Sequence, residues 1–522
     1  MSVSNKRYAA YDTAKDAGSA KPLLITQCKA EGDRCVAELN SELTKQNRKL
    51  KVSDVTDSDG HQYVNLVQKG GGVLGIALAG YTYVLEEVNI RFLRMAGTSA
   101  GAINTALMTA IGSDENPKAD KKSDGLLLIL AELNMFSFVD GHPFAKWILQ
   151  KIVSDGKYIK RLKAFLLNIG MLFLFLLISS LVSFGLETKL HWQYVPMLTR
   201  VLFVLLGFNL LVITYIIIFV INMLGRFRNS GYGINPGKVC LEWIREQLDK
   251  SIIPDGSRPA TIDDLEQKAG KLPSTLQWKP PNGEAVPLKD KDITADITII
   301  TSELVTQNKL EFPKMWSLYK SVADKNSIHP GDFVRASMSI PFFFESFIID
   351  ITATDRSSQE VKDAWKFHFL KEPCQIPLEL RLVDGGALSN FPINIFFNPK
   401  IKEARLPSFG IDLDDAGEKD NLGKDAGSWN VGSYCGRMLN TIRGYYDKDF
   451  LLKNKGFARG IGKVDLSDPK YNWLDFFASD QTKMDLFTAG AEAAKLFLLK
   501  FDWEKYKEER NAMRDDFVQQ TK

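Results

Sequence analysis

The chain has 522 residues, 45% of them hydrophobic and 25% charged, with a formal net charge of +3 at pH 7. That length supports a large core, and the near-neutral balance gives no signal for nucleic acid as a partner. The five cysteines (Cys28, Cys35, Cys240, Cys374, Cys435) are dispersed and odd in number, and no pair has metal-ligand spacing, so they read as reduced thiols of a cytosolic compartment.

Met1 to Gly60 is polar and charged, lacks a signal-peptide pattern, and reads as a partly ordered extension with a helix around Cys35 to Gln46. Tyr63-Val64-Asn65-Leu66-Val67 is a short strand pattern. Gly70-Gly71-Gly72-Val73-Leu74-Gly75 follows and opens an apolar run of helical length, Ile76 to Leu85. Arg91 to Ala96 gives a second strand, ending in Gly97-Thr98-Ser99-Ala100-Gly101. This G-x-S-x-G element is the sharp strand-to-helix turn that lifts a serine hydroxyl clear of a sheet. Ala100 to Ile111 continues as a helix rich in small residues, as expected where the turn is strained and the helix passes close to the strand.

The glycine run has chemistry of its own. Successive glycines let backbone N–H groups point into one small space, and the following helix adds its positive N-terminal end. Aimed at a carbonyl oxygen, this is an oxyanion hole, with Gly70, Gly71, Gly72 and Ala100 as the candidate donors. Gly70, Gly72 and Gly75 also meet the G-x-G-x-x-G spacing, which leaves a dinucleotide site as the alternative. The loop lacks the Lys-Ser/Thr end of a P-loop, no acidic residue stands in a ribose-binding place, and the nearby serine elbow favours the oxyanion reading.

Two long apolar runs come next. Ala164 to Leu186 and Val201 to Leu224 are free of charge over 23 and 24 residues. Each spans about 35 Å as a helix, enough for a bilayer core of about 30 Å. The connection, Glu187 to Arg200, carries Trp192, Tyr194 and Pro196, and aromatics suit a membrane interface. Asn168, Asn209 and Asn222 need partners, across the hairpin or in a homo-oligomer. Lys157, Lys160, Arg161 and Lys163 precede the first run, and Arg226 and Arg228 follow the second, whereas the connection offers mainly Lys189. Basic ends favour the cytoplasm. The expectation is an integral membrane protein with two spans, its catalytic domain cytoplasmic and the Glu187 to Pro196 loop on the far side.

Several further segments read as carrying no chemistry. His142 sits in a turn, Asp140-Gly141-His142-Pro143, with a surface role. Ile253 to Pro287 is rich in Pro, Gly and charge and reads as a surface loop region. Asp412, Asp414 and Asp415 lack the rest of a calcium loop and read as a solvated strand end. Asp502 onward reads as a solvated charged helix.

Leu382-Val383-Asp384-Gly385-Gly386-Ala387 places a carboxylate at a strand end without bulky neighbours. In the α/β-hydrolase order the nucleophile is followed by an acid and then a histidine. The histidines are His61, His142, His191, His329 and His368, and none follows Asp384. The pattern points to a serine hydrolase whose base is a carboxylate: Ser99 as nucleophile and Asp384 as proton acceptor. A carboxylate is a weak base in water, but desolvation and hydrogen bonding at a closed site change that.

Four blocks, in this order, resemble the patatin-like phospholipases. They are Gly70 to Gly75, Gly97 to Gly101, Ala336-Ser337-Met338-Ser339-Ile340-Pro341 followed by Phe342-Phe343-Phe344, and Asp384-Gly385-Gly386. Weaker similarity runs through Thr301-Ser302-Glu303-Leu304 and the helix Ala489 to Leu499. The resemblance implies a three-layer α/β/α fold with a central, mainly parallel sheet, here interrupted by the transmembrane hairpin. It also implies a Ser–Asp dyad and acyl-ester hydrolysis on lipids, without metal or cofactor. The expected organisation is an extension over 1–60, the catalytic domain over 61–160 and 229–505, the hairpin over 161–228, and a tail over 506–522. The expected activity is cleavage of phospholipid, lysophospholipid or acylglycerol esters in a bilayer. Acyl transfer on the same dyad, and a non-catalytic membrane scaffold or lipid-binding protein, stand as alternatives.

Overall fold

The computed structural model describes residues 17–143, 146, 158–190, 195–229, 231–280, 283–369, 376–398, 401, 404–415, 431–468 and 470–520. Lys157, His191, Trp192, Tyr194 and Cys374 therefore lie outside the described residues, as does the side chain of Cys435. The chain divides into two units. The larger takes the segments up to Asp140, from Gly237 to Pro341 and from Ser346 onward; the smaller runs from Gly141 to Pro236 and adds Phe342 to Glu345.

The larger unit begins with helix α1 (Ala17–Lys45) and strands β1 (Val55–Thr56) and β2 (Gln62–Gln68). A single 3-10 turn, Gly72–Gly75, leads into α2 (Ile76–Glu87), then β3 (Ile90–Thr98), α3 (Ala100–Ala110) and α4 (Ser123–Glu132). In the smaller unit lie α5 (Tyr158–Leu190), α6 (Val195–Asn229) and β4 (Gly233–Asn235). The larger unit resumes with α7 (Lys238–Ile252), α8 (Ile262–Gly270), β5 (Gln277–Trp278), β6 (Val286–Pro287), β7 (Asp296–Glu303), β8 (Asn308–Phe312) and α9 (Gly331–Ser337). Strand β9 (Phe342–Phe344) belongs to the smaller unit. After it come β10 (Phe347–Asp350), α10 (Gln359–Phe369), β11 (Glu379–Asp384), β12 (Ser408–Asp415), α11 (Val431–Lys453), β13 (Ile461–Leu466), α12 (Asp480–Lys500) and α13 (Trp503–Gln520).

Among the described residues the larger unit holds an eleven-stranded mixed sheet. Its core is parallel: β3 pairs with β2 and β7, and β12 pairs with β2 and β13, all in parallel register. Strands in such a core are covered on both faces, and β2 and β3 are accordingly buried along nearly their whole length. The flanks are antiparallel: β8 and β11 against β7, β10 against β11, and β1, β5 and β6 at the other margin. The mainly parallel expectation thus describes the centre, and the local hairpins that extend the sheet make it mixed.

Three sequence readings change. The N-terminal segment is more than a partly ordered extension: the helix expected around Cys35 to Gln46 begins at Ala17, and this α1 lays a stripe of Leu24, Cys28, Cys35, Leu39 and Leu43 into the core against α2 and α12, at the spacing of one helix face. Arg34 adds an ion pair to Glu492 at 2.6 Å. The Ile253 to Pro287 segment is not a plain loop, because it holds α8 and the two sheet-extending strands β5 and β6. Thr261 and Asp264 form a reciprocal capping box at the start of α8, a signal present in the sequence. The tail is not fully solvated: Trp503, Tyr506 and Lys507 of α13 are buried, and the Lys507 ammonium donates to Asp54 at 2.8 Å.

In the smaller unit, α5 and α6 pair along their length, with Ser183 and Thr199 hydroxyls 2.8 Å apart. Both helices outrun the charge-free stretches, so Glu187 to Leu190 and Val195 to Arg200, expected as connection, are helical. The two are long and apolar enough to cross a membrane, and only 11% and 6% of their most apolar stretches are buried. Asn168 and Asn222 are exposed on them; Asn209 is buried, and its amide oxygen has no partner among the described residues. Parallel pairing of β4 with β9 and stacking of Phe227 on Phe342 at 6.2 Å complete the unit.

Candidate active site

Strand β7 brings the site together. Its Ile299 and Ile300 pair with β3 on one edge (Gly97, Thr98) and with β8 on the other (Phe312, Glu311). Its next residues, Thr301 to Glu303, pair with β8 and with β11. Because β8 keeps one edge throughout, β3 and β11 must share the other. Strand β3 ends at Thr98 opposite Ile300, and β11 ends at Asp384 opposite Thr301. The two strand ends therefore meet one residue apart along β7, a rise of about 3.3 Å. A Cβ on Gly385 would lie 3.0 Å from the Thr98 methyl, which confirms the closeness of the two segments.

At the end of β3 the chain reverses sharply. Ser99 has φ 54° and ψ −118°, a left-handed conformation that costs a non-glycine residue of order 1–3 kcal/mol. Neighbouring contacts hold it there. Its N–H donates to the Ser337 hydroxyl at 2.9 Å, and that hydroxyl donates to the Ile300 carbonyl at 2.6 Å. Its carbonyl accepts from Ala102 and Ile103, starting α3. The small residues of the elbow are required: a Cβ on Gly97 would sit 2.2 Å from the Gly101 carbonyl oxygen, and one on Gly101 would sit 2.2 Å from that of Gln68. This is the close helix–strand passage expected from sequence.

The glycine run lies against the serine. A Cβ on Gly70 would be 3.1 Å from the Ser99 Cβ. The four expected oxyanion donors do not stand equally, however. The Gly70 N–H donates to the Asn390 carbonyl at 3.0 Å, so it serves to fix the loop. The N–H groups of Gly71, Gly72 and Ala100 have no acceptor among the described residues and remain available, the last at the first turn of α3. Lys69, just before the run, is tied to Asp412 at 2.7 Å and to the Leu413 carbonyl at 2.9 Å. Asp412 is thus an anchor for this loop, which corrects its reading as a solvated strand end.

Asp384 is buried at the end of β11. Its N–H donates to the Ser339 carbonyl at 2.8 Å, and its carboxylate accepts from the Gly386 N–H at 2.7 Å. The end of α9 therefore contacts both partners, Ser337 at the elbow and Ser339 at the aspartate, which gives the Ala336 to Pro341 block its structural role. Arg335, buried in the same turn, donates to the Ser339 hydroxyl and to the Gly237 carbonyl.

The described histidines stand elsewhere. His61 contacts Asp57 at 2.8 Å, His329 contacts Asp249 at 3.0 Å, and His368 lies on α10 against Phe367. His142 is exposed. Cys28, Cys35 and Cys240 are free and buried, and burial pushes their thiols up to about 12, 11 and 12, so none offers a thiolate nucleophile. The cluster of Asp57, Asp59 and His61 stands at the start of β2, about 20 Å of strand from the glycine run.

Sequence reasoning missed Asn390 and Asp447. Asn390 donates its side-chain N–H to the Gly70 carbonyl at 3.2 Å while its own carbonyl takes the Gly70 N–H. Asp447, on α11, accepts from the Ser389 hydroxyl at 2.7 Å and from the Phe391 N–H at 2.8 Å. Burial pushes its carboxyl up to about 6, against the pull of those hydrogen bonds and of Lys309. In sequence, Tyr445-Tyr446-Asp447-Lys448-Asp449 carries no sign of this.

The fold and this geometry define an α/β protein with a serine in a strained strand-to-helix turn beside a strand-end aspartate. The family model for the patatin-like phospholipases matches residues 66–397, and the chain belongs to that family, a family of lipid acyl hydrolases. The uncharacterized protein YqhO of Bacillus subtilis (strain 168) is 58% identical over 48 residues, which are 9% of this chain and 16% of that protein. The chain thus aligns with about one sixth of the length of that curated relative. The crystal structure of VipD from Legionella pneumophila is similar with a TM-score of 0.34 and 13% identity, over 87% of this chain and 71% of that one.

Proposed function

We propose that the protein is a membrane-anchored lipid acyl hydrolase that cleaves carboxylic esters of phospholipids, lysophospholipids or acylglycerols through Ser99 and Asp384. The carrying observation is the meeting of the two strand ends on one edge of β7 with the glycine run against Ser99. The Ser99 Oγ attacks the ester carbonyl carbon as its proton passes to the Asp384 carboxylate. The carbonyl oxygen becomes an oxyanion and accepts from Gly71, Gly72 and Ala100 N–H groups, fixed dipoles that need no reorganisation. Collapse breaks the ester C–O bond, and the departing alkoxide leaves as an alcohol with the proton held by Asp384. Water then attacks the acyl-serine, giving its proton to Asp384, and the acid departs as Ser99 regains its hydrogen.

The hairpin would keep this chemistry beside its substrate leaflet. Two long helices whose apolar faces are exposed favour a bilayer over a soluble core as their surroundings. Strands before the hairpin (β2, β3) pair with strands after it (β7, β12), so the chain must return to the side it left, as two spans do. The basic helix ends favour the cytoplasm as that side.

A serine-reactive fluorophosphonate tests the enzyme reading. Wild-type protein in phospholipid micelles should be labelled at Ser99 and should release fatty acid. A protein that binds vesicles but neither labels nor hydrolyses any of a panel of phospholipids, lysophospholipids and acylglycerols would instead be a scaffold.

A further inference from the structure

The segment after the catalytic aspartate, Ser389 to Phe391, touches both halves of the proposed machinery. The Ser389 carbonyl accepts from the Thr98 hydroxyl at 3.1 Å, one residue before the nucleophile. Asn390 exchanges two hydrogen bonds with Gly70, at 3.0 and 3.2 Å, and Gly70 abuts Ser99. This segment would be free to shift were it held only by its neighbours in sequence, because it lies in a loop between β11 and β12. Besides those contacts and the seat of the Phe391 ring in a core cluster with Val67, Ala96 and Phe457, a carboxylate on a distant helix grips it. Asp447 takes the Ser389 hydroxyl on one oxygen and the Phe391 N–H on the other, so it spans the segment like a staple.

We propose that Asp447 is a positioning residue for the hydrolytic reaction, bracing the Ser389 to Phe391 segment so that Thr98 and Gly70 hold the nucleophile and the oxyanion loop in register. The proposal rests on the Ser99–Asp384 reading above. Asp447 acts through this segment. Its place also argues for a role: a half-buried acid on a helix, turned toward a backbone loop, forgoes part of the hydration that a surface carboxylate would keep. Two donors offset that, and both belong to the one segment that reaches the elbow and the glycine run. A displacement of order 1 Å at a catalytic constellation costs about 100-fold in rate, so the brace should be felt in turnover more than in binding.

The test uses the full-length protein in phospholipid micelles. It compares wild type, Asp447→Ala, Ser389→Ala, Ser389→Thr, the Asp447→Ala/Ser389→Ala pair and Ser99→Ala. The readouts are kcat and KM on a chromogenic acyl ester, the rate of fluorophosphonate labelling, and the melting temperature. Asp447→Ala should lower kcat and labelling rate by about 10- to 100-fold with KM within about 3-fold and melting nearly unchanged. Ser389→Ala should lower both less, Ser389→Thr should restore them, and the double variant should add little to Asp447→Ala. Wild-type kcat and labelling in Asp447→Ala, or a fall in kcat matched by a fall in melting temperature that Ser389→Thr does not rescue, would overturn the proposal. Should Asp447→Ala not fold, wild-type turnover in Ser389→Ala would do the same. Full activity in Ser99→Ala would instead sink the nucleophile assignment on which the inference stands.

Discussion

Ser99 holds a backbone conformation that a serine would not choose, and the residues around it exist in part to enforce it. The Ser337 hydroxyl both receives the Ser99 N–H and donates to Ile300. Ser337→Ala strands a buried donor and a buried acceptor, each worth about 1–3 kcal/mol. The expected outcome is a lower urea midpoint together with slower ester turnover, and unchanged turnover would remove Ser337 from the support of the elbow. Gly97→Ala is expected to destabilise as well, since its methyl would lie 2.2 Å from the Gly101 carbonyl oxygen; overpacking of this kind costs typically about 1–3 kcal/mol and sometimes more. Asp447 adds a pH signature in stability. Its folded pKa, about 6, lies above its ordinary value of 3.8, so its contribution to stability is fully present below about 3.8 and is lost as pH rises through about 6. Wild type should therefore gain melting temperature relative to Asp447→Asn as pH falls from 7 to 5. A pH-independent difference would mean that the carboxyl is not held protonated in that range.

At the scale of elements, what sequence made legible was local. The strand, glycine run, helix, strand and elbow from Gln62 to Ala110 follow from apolar periodicity and from glycines whose spacing only a tight turn explains. Asp384 was legible because a strand pattern ends in Asp-Gly-Gly. The contacts of Asp447 and Asn390 were not, because they join segments far apart in the chain and each residue type is ordinary on a surface. Helix α1 was half legible: its C-terminal part was expected around Cys35 to Gln46, but charge between Leu24, Cys28, Cys35, Leu39 and Leu43 hides the core stripe, and only the presence of α2 and α12 decides the matter. Leu39→Ala should accordingly cost about 2–5 kcal/mol, the range for a buried leucine, in a denaturant titration. The hairpin helices carry a topological prediction. Cysteine replacing Lys189, in the last turn of α5, should react with an impermeant thiol reagent from the far side of the membrane, whereas cysteine replacing Asn229, at the end of α6, should be protected. The opposite pattern, or release of the protein by carbonate alone, would rule out the two-span arrangement.

For the whole molecule, one sheet is assembled from chain on both sides of a long apolar insertion, with β2 and β3 before it and β7, β11 and β12 after it. The proposed catalytic pair is divided in the same way, Ser99 on the first part and Asp384 on the second. Neither half can build the site alone, and the sheet that joins them is the scaffold on which the pair meets. The proposed oxyanion donors are backbone N–H groups, so activity should survive strong chelation; loss with EDTA and return with calcium would contradict that. The central claim is that an aspartate serves as the base for Ser99. It is tested most directly by the ester-hydrolysis rate of purified Asp384→Asn beside Ser99→Ala, both verified as folded. The account predicts a loss of at least ~10³-fold in each. Turnover like that of wild type in Asp384→Asn would contradict it.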